Sequence, residues 1–229
     1  MYTQLSSASA SSTLAASRNK VMRNTYWLLA LSLLPTLVGA LIGVQMNFGF
    51  MRASPIVSSL LMMVVLYGMM FAIEKNRYSS LGVGLMLGFT FLMGLLLGPL
   101  LQVALSLRNG GQLIAMAAGT TSLAFFVLAG IASTTKHDLS FLSKFITVGA
   151  VVLLAAMVAN IFLKLPALYL ALNVGFILFS SAVILYQIKE VVDGGEDSYI
   201  SATLTLYVSL YNIFSSLLQL LMAFGGDRD

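Results

Sequence analysis

Cysteine is absent from this sequence, which excludes a disulfide framework, thiolate zinc sites and cysteine nucleophiles. A single histidine, His137, excludes a multi-histidine metal site. Charge is scarce too. Twelve basic and 8 acidic side chains make up 9% of the 229 residues, against roughly 25% in an average soluble domain. That is too little to cover a water-facing surface. The net charge of +4 is spread along the chain and forms no patch, which argues against a nucleic-acid binder. Metalloprotease, phosphate-loop and dinucleotide motifs are missing, and no nucleophile–base pair is visible among the many serines. The reading is therefore not an enzyme, with no cofactor and no metal site.

What the sequence has is apolar length. Charge-free runs occupy 24–51, 53–73, 78–107, 109–135, 145–163, 165–188 and 198–226, the shortest being 19 residues. A membrane helix needs about 20 mostly apolar residues to cross roughly 30 Å of hydrocarbon. Backbone groups in lipid must pair within their own segment, so the runs are read as helices. Barrel strands would be about 10 residues long and strictly alternating. The expected architecture is an all-α membrane protein, a seven-transmembrane-helix bundle with spans 25–46, 55–73, 80–105, 112–133, 144–163, 167–188 and 201–224. The loops leave no room for a folded domain outside the bilayer.

Lys and Arg set the orientation. The side of the N-terminus carries Arg18, Lys20, Arg23, Lys75, Arg77, Lys136, Lys144 and Lys189. The other side carries Arg52, Arg108, Lys164 and Arg228. This predicts a cytoplasmic N-terminus, with residues 225–229 as a short tail outside. Residues 1–24 begin with a Ser- and Ala-rich stretch and lack the apolar core of a cleaved signal peptide. They are expected to be a disordered cytoplasmic tail.

Small residues recur four apart at Gly39/Gly43, Gly84/Gly88, Gly94/Gly98 and Ala115/Gly119, which suits close helix packing. Pro35 and Pro99 should kink their helices; Pro55 and Pro166 fall near helix starts. Gln102, Asn160, Asn173, Gln187, Ser209, Asn212 and Gln219, with Tyr186, Tyr207 and Tyr211, are the polar residues of the spans. They are read as interior groups bonding neighbouring helices, or as the lining of a pathway. No charged residue lies deep in a span, which counts against pumping and proton-coupled transport. Glu190, Asp193, Glu196 and Asp197 surround Gly194 and Gly195 in a loop. A solvated turn is the expectation, with a weak calcium interaction as its alternative.

The stretch 176–186 (FILFSSAVILY) runs through that acidic loop into 199–203 (YISAT), 206–214 (LYVSLYNIF), Leu217 and Leu218. This resembles the C-terminal signature of the Bax inhibitor-1 (transmembrane Bax inhibitor motif) family. The stretch 89–99 (FTFLMGLLLGP) is similar to the family's third helix, and 160–162 (NIF) to the end of its fifth. The stretches 23–26 (RNTY), 157–162 (MVANIF) and 165–168 (LPAL) resemble bacterial inner-membrane members. The resemblance implies seven helices with the last one central. It also implies two aspartates, tied to a pH-sensitive calcium leak, at the positions of Gln187 and Ser209. Neither residue ionises, so gating by a proton-sharing pair is altered or lost here. A calcium or cation leak channel, with Asn160, Gln187, Ser209 and Asn212 as pathway residues, is the second functional reading.

The bacterial resemblance implies the first reading. The chain would be an inner-membrane modulator of the AAA membrane protease FtsH, a slowly degraded binding partner in membrane-protein quality control. Such a protease needs a handle that reaches its pore. About 20 disordered residues span a few tens of Å at roughly 5–6 Å times the square root of length. Leu5, Ser6, Ser7, Leu14 and Arg18 mark the expected engagement tail.

Overall fold

Each charge-free run becomes a helix because nothing inside it stops one. Seven α-helices run through the described residues: α1 (Tyr2–Gln45), α2 (Pro55–Lys75), α3 (Ser80–Leu105), α4 (Gly110–Thr134), α5 (Ser140–Leu163), α6 (Pro166–Asp193) and α7 (Tyr199–Gly225). The computed structural model describes residues 2–49, 54–137 and 139–226, less the side chains of 2–16, 55, 56 and 59. Arg52 and Arg228, counted above, and Asp138 beside His137 lie outside the described residues.

Starts and stops follow local chemistry. Ser79 and Ser198 accept from the Gly82 and Ser201 amides and cap α3 and α7. Pro55 and Pro166 sit in first turns, where a missing N–H costs nothing. The α6 helix ends on Gly194 at φ 86°, the left-handed stop that glycine favours. Lys164 ends α5 at φ 51°. That turn is held by Asn160, whose backbone carbonyl accepts from Lys164 at 2.8 Å and whose side-chain oxygen accepts from the Leu165 amide at 3.1 Å.

The first helix is longer than its expected span. Residues 1–24 are expected from the sequence to be a disordered tail; the described backbone is helical from Tyr2 and continuous with the first crossing. The segment contains Ala, Leu and Ser and neither Gly nor Pro. Nothing in it interrupts a helix already nucleated by the crossing.

The helices α1 and α3 pack most extensively, followed by α6 and α7. The last helix touches α1, α2, α3, α4 and α6, whereas α5 rests on α6 alone. One core cluster gathers Phe89, Ile184, Ile188, Ile200, Leu206 and Ile213; a second gathers Leu97, Leu101, Ala104, Leu113, Ala117 and Leu218. Outside these, large apolar side chains face outward, among them Trp27 at 73% exposure and Phe126 at 71%. Among the described residues, six helices are long and apolar enough to cross a membrane, counting α1 from Ser17. The most apolar of them, α5, has none of its apolar stretch buried by protein. Water cannot cover such a surface and lipid can. The molecule is an all-helical membrane protein.

Candidate functional site

Three places gather chemistry. The first is a latch at the end bearing the α2–α3 turn and the α6–α7 loop. Glu74 pairs with Arg77 at 2.9 Å and accepts from the Ser201 hydroxyl at 2.8 Å, beside the positive end of α7. Ser198 Oγ donates to the Arg77 carbonyl at 2.9 Å. The Tyr78 phenol donates to Asp197 at 2.8 Å, and that carboxylate raises the Tyr78 pKa above its ordinary value. Lys189 reaches both Asp193 and the Thr135 carbonyl at 3.0 Å, tying α6 to the end of α4. The Arg18 guanidinium lies over Gly194, where an added Cβ would sit 2.7 Å from Nε.

These partners settle the acidic loop. Asp193 is taken by Lys189, Asp197 by Tyr78, and Glu196 by the Ser198 amide at 2.9 Å. Among the described residues no three acidic or histidine side chains gather to hold a metal. The alternative of a weak calcium interaction is not supported, because three of the four carboxylates are drawn to separate donors.

The second place is a polar notch of about 330 Å³ between α5, α6 and α7. Asn160, Tyr169, Asn173, Asn212, Ser216 and Gln219 line it. Asn173 donates to the Tyr169 carbonyl, and Tyr169 bonds Gln219 across α6 and α7. It lies at the end opposite the latch, where Asn109 also bonds the Gly225 carbonyl.

The third is a larger apolar cleft of about 730 Å³ bounded by α1, α4 and α7. At its floor the Thr36 hydroxyl and the Tyr207 phenol lie 2.7 Å apart, and both reach the Thr90 carbonyl.

The pathway candidates divide. Asn160 and Asn212 share the notch, although the Asn160 side chain is occupied in the α5–α6 turn. Gln187 and Ser209 line neither cavity. Ser209 is buried and donates to the Thr205 carbonyl of its own helix at 2.8 Å. No hydrogen bond joins it to Gln187 among the described residues. Of the engagement residues, Arg18 is exposed and seated on the latch, while the side chains of Leu5, Ser6, Ser7 and Leu14 lie outside the described residues. Sequence reasoning missed the Thr36–Thr90–Tyr207 cluster. Tyr207 stood out as polar, but threonine is too common in membrane helices to mark its partners.

A bundle of lipid-covered helices, polar at its two ends and hydrogen-bonded at a few interior points, defines a polytopic membrane protein. The chain belongs to the family described as inhibitor of apoptosis-promoting Bax1, which it matches over residues 18–226. It is 45% identical over 205 residues to the modulator of FtsH protease YccA of Escherichia coli K12, covering 90% of each chain. An uncharacterized protein of Neisseria meningitidis serogroup A is 46% identical, over 92% of this chain and 94% of its own. An uncharacterized membrane protein of Vibrio cholerae is 35% identical over 89% of each. The relative in Escherichia coli O6:H1, also 45% identical, is named an inner membrane protein.

Proposed function

We propose that this chain is an inner-membrane modulator of an FtsH-type protease, acting as a slowly degraded partner and not as a catalyst. The observation that carries this is 45% identity, over 90% of each chain, with a protein named modulator of FtsH protease. In this reading all seven helices cross, α7 is the central one, and the basic latch end faces the cytoplasm.

Geometry supports the mechanism. A 44-residue α1 is about 66 Å long at 1.5 Å per residue, about twice the roughly 30 Å of hydrocarbon. In this reading its first 15 residues, 2–16, about 22 Å of helix, overhang the bundle. An isolated helix that short is marginal in water, so a pulling motor can unravel it. Pulling then meets Arg18, whose side chain is seated on the latch. Beyond it, extraction must separate α1 from α3, the most extensive helix contact in the bundle. An accessible handle joined to a resistant body gives long occupancy of the protease.

Deleting residues 2–16 leaves Arg18 in place and isolates the handle. The truncated chain should lose co-purification with the protease from native membranes and turn over several-fold more slowly. A Gly/Ser segment of equal length should restore both. Equal turnover and equal co-purification after truncation would reject the reading. The leak-channel reading has less support, since Gln187 and Ser209 stand where the resemblance implies the two aspartates.

A further inference from the structure

We propose that the cleft between α1 and α4 is a binding site for one acyl chain of an anionic glycerophospholipid, with its phosphate held at the Arg23/Lys136 end. Helices α1 and α4 make no close backbone approach. They meet through the Tyr26 and Phe125 rings, 6.2 Å apart edge to face. Below that bridge the gap opens sideways, floored by Tyr207, Leu210 and Phe214 of α7.

The lining selects an apolar guest. The hydroxyls of Thr36, Thr121, Ser122 and Tyr207 already have partners within the protein. A guest therefore gains mainly by burying hydrocarbon.

Length matches one leaflet. The lining runs from Tyr26 to Thr36 on α1 and from Ala118 to Ser133 on α4, about 15 Å and 22 Å of helix. One leaflet of hydrocarbon is about 15 Å deep, so the cleft has the length of a single acyl chain.

Charge selects the headgroup. Arg23 lies three residues before Tyr26, and Lys136 three after Ser133, both exposed. Neither α1 nor α4 contains an Asp or Glu. Arg23 on α1 and Lys136, two residues past the end of α4, thus flank the Tyr26/Ser133 end of the lining, which favours a phosphate without a compensating ammonium.

The proposal concerns lipid alone and its readout involves no protease, so it stands or falls separately from the modulator reading. The full chain is extracted in mild detergent, exchanged against mixed phosphatidylglycerol/phosphatidylcholine vesicles, and its retained phospholipid is counted by native mass spectrometry. One phosphatidylglycerol should remain per chain. A Cβ on Gly130 would meet nothing within 4 Å, so Gly130→Phe fills the cleft without displacing protein and should abolish retention. Ala118→Leu is the second filling variant, and thermal unfolding identifies which of the two folds. Arg23→Gln and Lys136→Gln should each lower the preference for phosphatidylglycerol by about fivefold while leaving a lipid bound. Unchanged retention in a folded filling variant overturns the site, and unchanged preference in the charge variants overturns the headgroup. Gly130→p-benzoylphenylalanine that cross-links to a protein in native membranes overturns the choice of occupant.

Discussion

At the residue scale, glycines separate into those that carry a contact and those that do not. A Cβ on Gly39 would strike the Phe91 carbonyl, and one on Gly94 the Thr36 carbonyl. One on Gly43 would lie 2.5 Å from the Leu95 carbonyl oxygen, and one on Gly98 equally close to Gly43 itself. These four glycines let the α1 and α3 backbones touch, and backbone cannot swing away as a side chain can. Gly84 and Gly119 would meet nothing within 4 Å. The four-residue spacing was legible in the sequence, but which pairs were used was not. Spacing fixes a face of one helix and leaves its neighbour unspecified. Gly94→Ala should therefore destabilise the bundle by about 1–3 kcal/mol through overpacking. Gly119→Ala should be neutral or stabilising by up to about 1 kcal/mol through helix propensity. Unfolding midpoints in mixed micelles compare the two, and equal midpoints would contradict the proposed α1–α3 contact.

At the element scale, α5 is the sharpest test of the solvent. It has one buried residue, Leu142, rests on α6 alone, and turns Phe145, Val148, Val151, Val152 and Ile161 outward. In water such a face would be an aggregation liability; in lipid it is ordinary. Val152→Lys places a charge at the middle of this face and should cost about 2.5–3.5 kcal/mol of insertion. Ser143→Lys, one turn from the polar end of the same helix, should cost little because the side chain can snorkel. Comparing membrane-fraction yields separates the two, and equal yields would mean that α5 lies outside the hydrocarbon. Helix existence was legible from the charge gaps, and α3 occupies its expected 80–105. Helix ends were less so. The α6 helix runs to Asp193, past the expected 188, because Lys189 bonds Asp193 one turn on and Gly194 supplies the stop. The helical lead of α1 was missed because serine content and absent charge were weighed above the lack of any breaker.

At the scale of the whole molecule, topology decides which surfaces a cytoplasmic protease can reach. Alternating helix directions put Arg18, the α2–α3 turn, the start of α5 and the α6–α7 loop at one end, and the latch contacts bring most of these together. Of the 12 Lys and Arg residues, 8 belong to that end. The candidate site was legible only to this extent, because the charge count located a surface while its partners depended on tertiary contacts. The absence of cysteine allows a clean test. Asn19→Cys and Ser106→Cys are both exposed positions, separated by α1, α2 and α3. Three crossings put them on opposite sides of the membrane; if α2 does not cross, they fall on the same side. An impermeant maleimide should label Asn19→Cys only in inside-out vesicles and Ser106→Cys only in right-side-out ones. Labelling of both from one side would remove α2 from the set of crossings. Labelling of Asn19→Cys in right-side-out vesicles would place the α1 overhang beyond the reach of any cytoplasmic motor.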